Sequence, residues 1–105
     1  MYDRKILNEL KSLLIKRFPG EIQEVILFGS QANGDAKEFS DYDILVILNR
    51  DYDWRYERKI TDVCWEVDYK YDIFTDVKVI STNELQTIRG KQPYIQNALE
   101  KGVSV

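Results

Sequence analysis

Histidine is missing from this chain altogether. Its absence excludes Ser-His-Asp and Cys-His catalysis and histidine-ligated zinc. Any metal ion must therefore be held by oxygen, which favours magnesium or manganese. Cys64 is the sole cysteine, so no disulfide can close within the chain, a usage that fits a reducing cytoplasm. Long apolar runs are also lacking. Nothing approaches the roughly 18 residues of a membrane span, and no basic-then-apolar leader is present. Positive charge is not in excess either: 15 Lys and Arg stand against 18 Asp and Glu, a formal net charge of −3. There is no general basic footprint for nucleic acid. At 105 residues with 44% hydrophobic content, residues 1–105 are expected to bury one modest core as a single domain.

What the chain does contain is a βα-like alternation without repeats, low-complexity tracts or linkers. Ile6, Leu10, Leu13, Leu14 and Phe18 recur at helical spacing, predicting a helix over 3–18 that Pro19-Gly20 stops. Glu24 to Phe28 read as a first strand, and Ser30 to Asn33 as a short helical turn. Asp41 to Leu48 read as a second strand whose apolar run Ile44-Leu45-Val46-Ile47-Leu48 does not alternate, so both of its faces should be covered. Tyr56, Ile60, Val63, Cys64, Val67 and Tyr71 predict a second long helix over 53–69. Ile73 to Ile80 form a third strand. Ser81 and Glu84 have the spacing of a capping box opening a short helix, Gly90 and Pro93 break it, and 94–100 suggest a last helical segment ended by Gly102.

The chemistry concentrates between Gly29 and Asp43. Gly29-Ser30 follow the strand Val25-Ile26-Leu27-Phe28 where the backbone must turn. Glycine there lets a phosphate approach backbone N–H groups, and a helix beginning at that point would direct its positive end to the same place. Asp41 and Asp43 open the second strand on one shared face, roughly 7 Å apart. Carboxylates so placed can clamp a pair of cations about 4 Å apart. Alone, either half is an ordinary turn or a solvated strand end. Together they put two repelling anions at the mouth of a buried strand, a conflict that a bound cation would resolve.

This pattern, Gly29-Ser30 and then Asp41-x-Asp43 between two apolar strands, resembles the signature of the nucleotidyltransferase superfamily that includes DNA polymerase beta and kanamycin nucleotidyltransferase. At this length it looks most like the minimal nucleotidyltransferase (MNT) domain proteins, with the resemblance covering nearly the whole chain. It implies an α/β fold of the DNA polymerase beta type, a small mixed sheet flanked by helices. A third carboxylate is expected on the third strand, where Asp72 and Asp76 have the same parity. The resemblance points to Asp76, since Thr75-Asp76-Val77 sits within the strand and shortly before a helix, while pairing of Asp76 with Lys78 at the surface is the bland alternative.

The resemblance further implies a nucleotidyltransferase, most simply an adenylyltransferase, with ATP as donor and two Mg2+ ions. Gly29 and Ser30 would hold the β- and γ-phosphates, while Asp41, Asp43 and Asp76 would be the catalytic metal ligands. Asp76 would also take the proton of the acceptor hydroxyl. Related sequences often carry arginine where this chain has Gln31 and Asn33, which should weaken the hold on triphosphate, with Lys37 or Lys78 available to compensate. The acceptor is expected to come from a partner. MNT proteins are often paired with a helical HEPN protein, which implies an antitoxin that adenylylates its toxin. Two other readings stand: a module that masks its partner without catalysis, or a small-molecule (aminoglycoside-type) nucleotidyltransferase working as a homo-oligomer. The aromatic surplus, Tyr52, Trp54, Tyr56, Trp65, Tyr69, Tyr71 and Tyr94, is mostly packing, with Trp54 and Tyr56 beside Arg55 and Arg58 as a candidate exposed anchor. Cys64, among core-spaced residues, reads as an inert small apolar group.

Overall fold

A computed structural model describes residues 3–29 and 41–105. The elements in chain order are α1 (Arg4–Arg17), β1 (Ile22–Phe28), β2 (Tyr42–Leu48), α2 (Trp54–Tyr71), β3 (Thr75–Ser81), two 3-10 turns (Glu84–Gln86 and Ile88–Lys91), α3 (Pro93–Lys101) and β4 (Val103–Ser104). The sheet order is β3-β2-β1-β4. β2 runs parallel to β3, and β1 runs antiparallel to both β2 and β4. A parallel pair needs a crossover connection, and α2 supplies it.

Alternation along the strands sorts the core into two layers. Val25, Leu27, Ile44, Val46, Leu48 and Val79 face α1 and α2, meeting Leu7, Leu10, Leu14, Ile60, Val63 and Cys64. Ile26, Phe28, Leu45, Ile47 and Ile80 face the other way, toward Ile95 and Ala98 of α3. Central β2 is thus buried on both sides, as its unbroken apolar run predicts. Local chemistry sets the helix starts: Asp3 accepts from the Lys5 N–H, and Asp53 from the Tyr56 N–H, each at 2.9 Å.

The structure departs from the sequence reading mainly at element ends: β1 begins at Ile22 and β2 at Tyr42, which leaves Asp41 just outside its expected strand. α2 runs on to Tyr71 and ends at Asp72, which takes up a left-handed conformation (φ 52, ψ 48) as the C-cap. The third strand therefore begins at Thr75, and Asp72 is not a strand residue. The capping box forms, with the Ser81 N–H donating to Glu84 Oε1 and the Glu84 N–H donating to Ser81 Oγ, both at 3.1 Å. It opens only a 3-10 turn, because Thr87 reverts to extended backbone. Pro93 begins α3 as its first residue, where a missing N–H costs nothing. Finally, after Gly102 the chain adds β4 to the edge of β1, a pairing that two residues cannot signal by periodicity.

Candidate active site

Gly29 leaves β1 with φ +73, a left-handed conformation that glycine adopts without penalty. The need for glycine is also steric, because a Cβ there would overlap Asp43 Oδ2. The Asp43 carboxylate thus lies directly on the Gly29 backbone. Across the sheet, Asp43 pairs in register with Phe28 of β1 on one side and with Asp76 of β3 on the other. Period-two alternation puts Asp43 and Asp76 on the face of Leu45, Ile47 and Ile80, the one covered by α3. Asp41 stands exposed one residue before β2. Asp76 Oδ1 is 3.4 Å from Lys78 Nζ, so the surface pair weighed for this acid is present beside its register with Asp43. Ser30, Gln31, Asn33 and Lys37, together with the turn expected over 30–33, lie outside the described residues.

Asp43 feels the charges of both other acids. Burial raises the Asp43 pKa, and the charges of Asp76 and then Asp41 raise it further, against an opposing pull from Lys78. Among the described residues, no three acidic side chains stand close enough as they are to hold a metal ion. The donor set still fits a hard divalent cation: it is all oxygen, it is anionic, and its central member is held partly out of water against a bare backbone cradle.

Asp68 is a participant that the sequence reading missed. This α2 residue is 9% exposed, and its Oδ2 accepts from the Thr75 N–H at 3.1 Å and from Thr75 Oγ1 at 3.0 Å. Thr75 is followed in β3 by Asp76, so the α2 carboxylate fixes the start of the strand that carries Asp76. Burial raises the Asp68 pKa, the two Thr75 donors lower it, and the charge of Asp41 raises it again. An acid one residue beyond core-spaced Val67 was the signal available. The Tyr42 N–H donates to Phe74 O at 2.8 Å, a second tie between β2 and the start of β3. Asp72, at the end of α2, takes no part in this register.

The aromatic residues divide unevenly. Tyr56 donates its hydroxyl to Glu21 and packs against Phe18 in a tilted contact with ring centroids 5.3 Å apart, so it is structural rather than an exposed anchor. Trp54 is exposed beneath the Arg55 guanidinium. Tyr52 donates to Val79 O. Burial pushes the Cys64 thiol up to about 12, as an inert core group requires.

A family model described as a nucleotidyltransferase domain matches residues 4–104. The chain is 31% identical over 102 residues to the "Putative protein adenylyltransferase MJ0604" of Methanocaldococcus jannaschii, covering 97% of this chain and 96% of that one. Among solved structures, a toxin-antitoxin crystal structure with AMP-PNP superposes with a TM-score of 0.63 at 23% identity, covering 92% of this chain and 69% of the other. A complex of tri-AMPylated Shewanella oneidensis HEPN toxin with MNT antitoxin gives 0.60 at 20% identity, over 96% and 69%. Spectinomycin adenyltransferase from Enterococcus faecialis, with ATP and spectinomycin, gives 0.65 at 18% identity, over 81% of this chain but 36% of that enzyme.

Proposed function

We propose, from the premise that this chain belongs to the nucleotidyltransferase domain family as a minimal member, that it transfers AMP from ATP to a hydroxyl group of a protein partner. The observation that carries this reading is the register of Asp43 opposite Asp76, with the Asp43 carboxylate seated on Gly29. That arrangement sets two acids on one sheet face at the end of β1, where Gly29 leaves the backbone uncovered by a side chain of its own. The protein-directed part is supported by the adenylyltransferase relative that matches almost end to end. The likeness to MNT antitoxins in complex with HEPN toxins supports a HEPN protein as the acceptor.

The chain's own groups have distinct tasks in this reaction. Backbone N–H groups around Gly29, with Ser30, receive the donor's terminal phosphates. Asp41, Asp43 and Asp76 would hold magnesium, which supplies charge neutralisation of the triphosphate and acidifies the acceptor hydroxyl. Asp76 accepts the proton of that hydroxyl. As the acceptor oxygen bonds to the α-phosphorus, the bond from that phosphorus to the leaving pyrophosphate breaks. Retention of all three acids favours catalysis over masking, since a masking surface has no use for repelling carboxylates.

The test is AMP transfer with the co-purified partner, ATP and Mg2+, read by mass spectrometry. Asp43→Asn and Asp76→Asn should each lower the rate by about 10²-fold or more, while Asp72→Asn should lower it far less. A wild-type rate in Asp43→Asn with the fold intact would overturn the reading.

A further inference from the structure

The solvent side of α2 carries an aromatic surface that the site described above does not use. Trp65, Tyr69 and Phe74 are 68, 94 and 63% exposed, although α2 already buries Ile60, Val63, Cys64 and Val67 against the sheet. These three aromatics, with Asp68, Asp72 and Ile73, wall an open cleft of about 580 Å3. A second cleft, lined by Asp62, Trp65, Glu66 and Tyr69, continues it along the helix. From Asp62 to Asp72 the groove spans about 15 Å of helix, the length of four to five extended residues.

Its charge is one-sided. Among the described residues Asp62, Asp68 and Asp72 belong to no ion pair, while Glu66 is paired with Arg17. Asp68 uses one carboxylate oxygen on Thr75, and its other, Oδ1, is buried without a partner. A buried carboxylate oxygen left unpaired is costly, and aromatic faces beside it attract a cation. The groove also ends at the edge of the sheet where β2 and β3 begin, the edge that carries Asp43 and Asp76 on its other face. Phe74 O accepts from the Tyr42 N–H, between Asp41 and Asp43, and Asp68 holds the residue preceding Asp76.

We propose that this groove seats a basic segment of the protein acceptor, with an arginine or lysine among Trp65, Tyr69 and Phe74 beside Asp68. The acceptor hydroxyl, a few residues away on the same segment, is thereby delivered to Asp43 and Asp76. The groove's length favours a peptide segment over a small cation, and rigid exposed aromatics are the usual anchors of such contacts. This inference rests on the protein-directed reading given above.

The test uses two synthetic peptides, acetyl-Ala-Arg-Ala-Arg-Ala-Tyr-Ala-amide and its counterpart with citrulline at both arginine positions, added to isotope-labelled protein at millimolar concentration. The arginine peptide should shift the Trp65 indole signal and the Tyr69 and Phe74 amides, and should bind at least tenfold more tightly than the citrulline peptide. Trp65→Ala and Tyr69→Ala, both surface changes that leave the fold intact, should each weaken peptide binding at least tenfold without altering ATP affinity. Equal binding of the two peptides, shifts confined to other surfaces, or no shifts at all would overturn the proposal. Displacement of the peptide by an equal concentration of putrescine would reassign the groove to a small cation. With the partner protein as acceptor, unchanged KM in Trp65→Ala would sink the groove and leave the transfer reaction standing. Groove binding without AMP transfer to any protein would instead sink the protein-directed reading.

Discussion

At Asp43 a carboxylate is kept partly out of water and beside two like charges, so its proton is bound more tightly in the folded protein than in the unfolded chain. The sign of the linkage follows. The stability this group contributes is complete below the ordinary carboxylate pKa and is lost as pH rises through the raised one. Asp43→Asn, which cannot ionise, should therefore be more stable than wild type at neutral pH in EDTA, by a few degrees in Tm. The gap should close as pH falls below about 4. Thermal melts across that range check it, and a variant less stable than wild type at pH 7 would contradict it. The same residue would then be both a source of instability in the metal-free protein and indispensable for transfer, a combination expected of functional positions. Asp41 and Asp43 stand out in the sequence because strand alternation is a local rule. Asp68 does not, because its importance depends on the turn that brings Thr75 back beneath α2.

Among the elements, the junction of β1 with Gly29 is the most constrained. Gly29→Ala would combine a left-handed non-glycine residue with a methyl group in the space of Asp43 Oδ2. It should destabilise the protein by about 1–3 kcal/mol and displace the carboxylate, so that AMP transfer falls with it; urea denaturation and the mass-spectrometric assay measure the two effects. The helices α1 and α2 and the strands β1 to β3 are legible in the sequence because each repeats its apolar residues over two or more turns or pleats. Their ends are less so. Whether α2 stops at 69 or 71 decides whether Asp72 belongs to a helix cap or to a strand, and periodicity leaves boundaries loose by this amount. That small shift separates Asp72 from the register of Asp43 and Asp76.

The whole molecule is organised around β2, whose residues Ile44 and Leu45 are both inaccessible to solvent yet belong to opposite layers of the core. Ile44→Ala should cost about 2–5 kcal/mol, whereas Leu99→Ala, 44% exposed on α3, should stay within about 0.5 kcal/mol of wild type. Chemical denaturation of both variants compares the two directly. β4 illustrates closure at this scale: the Val105 N–H donates to Val25 O at 2.9 Å, and Val105 O accepts from Lys11 Nζ. The C-terminal residues are thereby tied to both β1 and α1.

The sequence by itself excluded histidine from any donor set, because the chain has none, and determined the family, through Gly29 and the spaced acids Asp41 and Asp43. It also determined the alternation of helices and strands, because all of these are properties of residue identity and short-range period. The tertiary structure alone decided that Asp43 stands opposite Asp76, that Asp72 caps a helix, and that Asp68 anchors the third strand from below. It alone left Trp65, Tyr69 and Phe74 uncovered. The register of Asp43 with Asp76 depends on residues distant in the chain being brought together by parallel pairing across a crossover, which no local pattern encodes. The Asp72 cap and the Asp68 contact with Thr75 turn on where α2 ends, which periodicity leaves loose.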